Sequence, residues 1–180
     1  MNNIQDIIST KERIKILDNI IYLENEFGVN EIAKKIQLSK GLISKYFEIL
    51  LRNNVLSKRK IKFIVNNNNI VKSFRILLNI IKIDTKLFQR YKFIKAIGLY
   101  GSCVKGTNTE SSDIDLWIKI SLAKEQQLAD LISQLKKTIK NINILILDHD
   151  KIIKLKKEDI LFYHSLFFGS IIIYGDENEI

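Results

Sequence analysis

The segment "KAIGLYGSCVKGTNTESSDIDLWIKI", residues 95–120, constrains this chain more than any other. An apolar run stops at Gly101-Ser102, a polar loop with a second glycine at 106 follows, and a second apolar run carries Asp113 and Asp115 one residue apart. Short apolar runs bounded by turn residues read as strands, so two strands joined by a structured loop are predicted. Residues two apart in a strand share a face, which puts both carboxylates on the same side. Two unpaired carboxylates side by side repel, and a divalent cation removes the conflict. Mg²⁺ prefers one or two protein carboxylates and completes its shell with water and phosphate oxygens. Gly101 lets a ligand approach the backbone closely. Ser102 opens a short helix whose free N–H groups favour a phosphate. Lys105 adds positive charge and Gly106 turns the loop back. These residues together predict a site for a nucleoside triphosphate with Mg²⁺ or Mn²⁺. It is not a Walker A loop, because no Gly-Lys-Ser/Thr is present.

The rest of the second half alternates in rhythm. It reads as a helix over about 85–93, the two strands above, a helix in "KEQQLADLISQLKKTIK", a strand in "INILILD", two helices, a strand in "SIIIYG" and a frayed acidic end. Strands interleaved with helices predict an α+β sheet domain. Several residues nearby have a structural reading. Cys103 is a small filler, since no partner base is evident. Trp117 shares the face of Asp113 and Asp115 and is assigned to core packing. His149 and His164 show no ligand spacing.

The first half is different. Apolar residues at 14, 16, 17, 20, 21 and 23 have helical spacing, with Ser9 and Glu12 as a capping box and Gly28 as a stop. A second short helix follows in "VNEIAKKIQL" with Asn30 as its cap, and Ser39 caps a third in "SKGLISKYFEILLRNN". "VLSKRKIKFIV" reads as two short strands around a basic tip at Lys58, Arg59 and Lys60. "NNNN" at 66–69 is a polar break, and a long amphipathic helix comes next. Short helices in tight succession suggest a helix-turn-helix, and the hairpin adds a wing. The segment resembles the winged helix-turn-helix family of archaeal and bacterial regulators, chiefly in "EIAKKIQLSKGLISKYFEIL". In that family the motif's second helix enters the major groove. The residues expected to face DNA are Ser39, Lys40, Ser44, Lys45, Lys58, Arg59 and Lys60, while Tyr46 is compatible with either side.

Charge agrees with that placement. Residues 1–83 hold 15 Lys/Arg against 7 Asp/Glu, a net +8, and residues 84–180 hold 14 against 13, a net +1. The basic excess sits in the first half, where a polyanionic partner is favoured. No secretory pattern opens the chain, and no apolar run has the length of a membrane span. One cysteine excludes a disulfide framework and a thiolate cluster. The expectation is a soluble cytoplasmic protein with no membrane partner.

Gly-Ser followed by Asp-x-Asp resembles the nucleotidyltransferase superfamily of DNA polymerase β. It is most similar to the minimal nucleotidyltransferase branch, whose pattern is GSxxxGxxxxxSDxDL. Here Gly101, Ser102, Gly106, Ser112, Asp113, Asp115 and Leu116 meet every position. The resemblance implies a mixed sheet with flanking helices, and transfer of a nucleoside monophosphate from ATP or another triphosphate. Gly101, Ser102, Lys105, Gly106 and Ser112 would hold the nucleotide. Asp113 and Asp115 would hold two metal ions, and a third acid on a later strand would help activate the acceptor. This chain departs from the pattern there, because the matching position is Asn143, which can ligate a metal but cannot take up a proton as a carboxylate does. Asp148 is in the opposite phase, and Asp150 lies past the strand. Lys105 also replaces a common arginine, which loses the bidentate fork. Minimal nucleotidyltransferases act as antitoxins that adenylylate HEPN-type toxins, so a HEPN-type partner is implied. The predicted organisation is a winged helix-turn-helix over 1–68, a linking helix over 69–84 and a nucleotidyltransferase domain over 85–180, with a homodimer as the expected assembly. The alternative is a catalytically impaired, nucleotide-sensing transcription regulator.

Overall fold

Thr10, rather than Ser9, starts the first long helix. In the computed structural model, which describes residues 3–175, a short helix α1 (Ile4–Ile8) precedes it, so Ser9 is taken up as that helix's C-cap. The Thr10 hydroxyl accepts from the Arg13 N–H at 3.2 Å and opens α2 (Lys11–Ile20). Gly28 does not stop a helix. It is the extended N-cap of α3 (Val29–Ile36), and the Glu31 carboxylate accepts from its N–H at 3.4 Å. Asn30 therefore sits inside α3 rather than at its cap. Ser39 caps α4 (Lys40–Arg52) as expected, accepting from the Leu42 N–H at 3.3 Å.

The chain then forms an antiparallel hairpin of β1 (Leu56–Arg59) and β2 (Lys62–Val65). Lys60, at φ 55°, makes its turn with Ile61. The core of this first unit, Met1–Arg75, follows from helical spacing. Ile16, Leu17, Ile20, Ile32, Ile43, Phe47 and Leu50 are all buried. Phe47 lies edge-on to both Phe27 and Phe63, with ring centroids 5.7 and 4.8 Å apart. Phe27 and Phe63 also exchange backbone hydrogen bonds at 2.9 Å, which ties the hairpin to the helices. Tyr46 faces inward. Its hydroxyl donates to the Ile7 carbonyl at 2.9 Å.

The division between units falls inside α5 (Asn69–Ile81). Within the second unit, Ile76–Ile180, the expected helix over 85–93 is a single 3₁₀ turn, Thr85–Phe88. Phe88, Tyr91 and Phe93 are buried by the turns that deliver the chain into the sheet. The elements that follow are β3 (Ile94–Tyr100), α6 (Ser102–Lys105), β4 (Ile114–Ile120), α7 (Glu125–Thr138), β5 (Ile142–Leu147), α8 (His149–Glu158), α9 (Ile160–Phe168) and β6 (Ile171–Gly175). The acidic end lies outside the described residues.

The four strands make one mixed sheet in the order β5-β4-β3-β6. β3 runs antiparallel to β4 and β6, and β4 runs parallel to β5 through the α7 crossover. Strand alternation sends two sets of side chains to opposite faces. Ile97, Leu99, Leu116 and Ile118 meet Leu131 and Leu135 of α7 in one layer. Ala96, Trp117 and Leu147 meet Leu166 of α9 in the other. Gly98 is opposite Trp117 in the register, and a Cβ there would collide with the indole ring. The missing side chain is what lets the tryptophan lie across the sheet.

Candidate functional site

The sheet brings the site to one corner. β3 ends there while β4 and β5 begin, and the register places Tyr100 opposite Asp115 and Asp115 opposite Asn143. Asp113 is not in the strand, as expected from sequence, but immediately before it. It nevertheless reaches the same face. The Asn143 Nδ2 amide donates to Asp113 Oδ2 and to Asp115 Oδ1, each at 3.1 Å. The two carboxylates therefore converge on one point.

Gly101 closes this corner from the β3 side. Its φ of 71° with ψ of −139° is backbone that L side chains avoid. A Cβ would also stand 2.6 Å from Asp115 Oδ2. Glycine is needed here for two independent reasons, and both bear on where Asp115 sits.

The loop beyond it is braced from within. Gly106 takes φ 63° and donates to the Ser102 carbonyl, ending α6. Thr107 donates to the same carbonyl at 3.1 Å. Ser112 Oγ accepts from the Thr109 N–H at 2.9 Å, so its hydroxyl shapes the approach to Asp113. Ser102 is half-buried at the start of α6, and Lys105 at its end is exposed.

Sequence reasoning missed the support beneath the loop. Asn79 of α5 and Asn108 form a reciprocal amide pair, with distances of 3.0 and 3.1 Å. Asn79 Nδ2 also donates to the Cys103 carbonyl at 2.9 Å. Both side chains are buried. The available signal was the lone amide in the apolar stripe "RILLNIIKI".

Electrostatics follow the burial. The Cys103 thiol is pushed up to about 11, first by burial and then by the Asp115 charge, with its Sγ 3.7 Å from the Asp113 carbonyl. It is a packed thiol rather than a nucleophile. The Tyr100 phenol is also raised, by burial first and the Asp115 charge second.

The remaining sequence candidates lie elsewhere. Trp117 is buried on the sheet, its indole N–H donating to Ser170 Oγ at 2.8 Å. Asp148 caps α8, accepting from the Lys151 N–H at 2.7 Å, and so does not supply a third acid. Asp150 is in the first turn of that helix. His149 begins α8, and His164 stacks on Phe168. In the first unit, Ser39, Lys40, Ser44 and Lys45 are exposed at the start of α4, and Lys58, Arg59 and Lys60 are exposed on the hairpin. Arg59 pairs with Glu26 at 3.6 Å.

The donor set can be tested against a divalent ion. Asp113 Oδ2 and Asp115 Oδ1 both face the Asn143 amide nitrogen at 3.1 Å, so these two carboxylates can hold one small cation only where it displaces that amide. Among the described residues no three His, Cys, Asp or Glu side chains form a metal-holding group. A cation here would therefore need oxygens from water or a ligand, which suits a nucleotide phosphate.

The chain resembles known proteins in this half. Residues 82–179 match the family model described as polymerase beta, nucleotidyltransferase. No curated protein matches the chain. Among solved structures, it is similar to a toxin-antitoxin with AMP-PNP, at 18% identity and a TM-score of 0.41, over 56% of this chain and 77% of that one. It is also similar to the complex of a tri-AMPylated Shewanella oneidensis HEPN toxin with MNT antitoxin, at 16% identity and a TM-score of 0.37, over 58% of this chain and 76% of that one. No helix among the described residues is long and apolar enough to cross a membrane. Because the family model spans more than half the chain and contains the whole corner built by Gly101, Asp113 and Asp115, this chain belongs to the polymerase beta nucleotidyltransferase family and is a nucleotidyltransferase.

Proposed function

We propose that the chain transfers AMP from ATP to an acceptor hydroxyl on a partner protein, in an antitoxin-like role. The observation that carries this reading is the convergence of Asp113 and Asp115 beside the open backbone of Gly101. In the transfer, the acceptor oxygen bonds to the α-phosphorus, the bond from that phosphorus to the β-phosphate oxygen breaks, and pyrophosphate leaves. The hydroxyl proton passes to water, since Asn143 is a neutral amide and cannot accept it. Gly101 and Ser102 offer backbone N–H groups to the phosphates, and Lys105 offers a charge. Asp113 and Asp115 would hold Mg²⁺ or Mn²⁺. When bound, the ion supplies charge neutralisation on the phosphates and orients them for in-line displacement. The HEPN-type partner rests on the motif's resemblance to minimal nucleotidyltransferases.

In the first unit we assign a winged helix-turn-helix that binds DNA. The exposed basic start of α4 and the basic hairpin support this, since phosphate contacts need positive charge presented to solvent. A second reading is a regulator whose DNA affinity answers to bound nucleotide, with transfer slow. Asn143 favours it, because an amide stands where the family has an acid.

One experiment separates them. The protein is incubated with Mg²⁺ or Mn²⁺ and α-labelled ATP in native lysate, beside an Asp113→Asn, Asp115→Asn control. Label on a macromolecule with the wild type alone supports transfer and names the acceptor. ATP binding with no label on anything would reject transfer and leave the regulator.

A further inference from the structure

In this chain an amide stands where the family's third acid would be, and its two N–H bonds are both in use. Asn143 Nδ2 has two hydrogens, and its two acceptors belong to Asp113 and Asp115, at 3.1 Å each. The register explains why it is held there. Asn143 pairs with Asp115 across β4 and β5, so its position is set by the sheet rather than by a flexible loop. A nitrogen bearing two polarised hydrogens, placed between two carboxylates, does electrostatically what a cation would do there: it offers positive charge to both. A carboxylate at the same position would instead add a third negative group.

We propose that Asn143 is an internal stand-in for the divalent cation, which holds the two carboxylates together in the cation-free chain and competes with a free cation for them. This deepens the nucleotidyltransferase reading of the same corner and rests on it for the identity of the ion. For a cation to occupy the corner, both N–H donations must break. The amide must then turn away or present its Oδ1. Free Mg²⁺ or Mn²⁺ is consequently bound weakly by the protein alone.

The proposal predicts an unusual sign. Removing a side chain that lines a metal site ordinarily weakens metal binding. Here Asn143→Ala removes the competitor, and the neutral oxygen it also removes is replaceable by water. Asn143 is exposed, so the substitution leaves the core intact. The experiment titrates free Mn²⁺ into the full-length protein without nucleotide and follows unbound Mn²⁺ by electron paramagnetic resonance. Asn143→Ala is expected to bind Mn²⁺ about fivefold more tightly than the wild type, the effect of losing a modest pair of charge-assisted hydrogen bonds near solvent. Asn143→Asp, which removes the donors and adds a charged ligand, is expected to bind more tightly still. Asp113→Asn with Asp115→Asn is expected to abolish Mn²⁺ binding at this corner, and with it the difference between the Asn143 variants. Equal or weaker Mn²⁺ binding by Asn143→Ala would overturn the proposal, because the amide would then be an inert neighbour or a ligand. If the Mn²⁺ arms come out as expected while neither protein binds ATP or transfers label, the stand-in role holds and the proposed transferase reaction is what fails.

Discussion

Gly101→Ala isolates the two reasons that a glycine stands at the corner. The backbone there has φ 71° and ψ −139°, a region that is nearly closed to residues with a Cβ. Holding alanine in such a conformation costs about 1–3 kcal/mol. The new Cβ would also stand 2.6 Å from Asp115 Oδ2, closer than such atoms pack. That second conflict resolves differently. Asp115 is only half-buried, so its carboxylate can swing out, and the cost falls on the site more than on the fold. The thermal midpoint of the second unit, followed through the buried Trp117, should therefore drop by roughly 5–20 °C, at about 4–8 °C per kcal/mol. Binding of a fluorescent, non-hydrolysable ATP analogue should disappear well below the new midpoint. The same substitution in an Asp115→Ala background tests the division. If strain sets the stability loss, the penalty persists, and the two changes add to within about 0.5 kcal/mol. A Gly101→Ala protein with the wild-type midpoint would refute the backbone reasoning. One that melts early yet binds the analogue normally would refute the claim that Asp115 is displaced.

Asn108→Ala leaves Asn79 short of a buried partner and should cost about 1–3 kcal/mol in denaturant unfolding, whereas Asn79→Leu with Asn108→Leu should cost less than the sum of the single changes. The raised Cys103 thiol sets a pH dependence. Its folded value, about 11, lies above the ordinary 9.0, so its stabilising contribution is complete below about 9 and disappears as pH climbs through 11. Iodoacetamide labelling of the native protein should be slow at neutral pH and accelerate only in strong alkali. For the proposed DNA interface, Lys40→Gln with Lys45→Gln should weaken binding to all duplexes alike. The log–log salt dependence should flatten by about 0.9 for each phosphate no longer neutralised. An unchanged slope would remove α4 from the interface.

Much of the corner was legible before any fold was in hand, because its determinants are local. The spacing of Asp113 and Asp115 puts both on one face, although Asp113 lies just before β4 rather than in it, and Gly101 reads as room for a ligand, whereas its close neighbour in the fold is Asp115. Ser39 announced α4 by hydrogen-bond chemistry that spans three residues. The misreadings were also local but degenerate. Ser9 and Thr10 are both good caps, and only the helix before them decided which was free. The helix expected over about 85–93 is a 3₁₀ turn at Thr85–Phe88, where burial of Phe88, Tyr91 and Phe93 fixes the path into the sheet.

What the tertiary structure alone decided is pairing over long separations. Asn79 and Asn108 are 29 residues apart, and Asn143 is 28 and 30 residues from its two aspartates. Periodicity along a chain carries no information on which residues meet across strands. That is set by sheet register and by the crossover helix between β4 and β5. The resemblance of the motif implied that an acid is missing at Asn143. Only the fold showed that the amide in its place bridges the two carboxylates that remain.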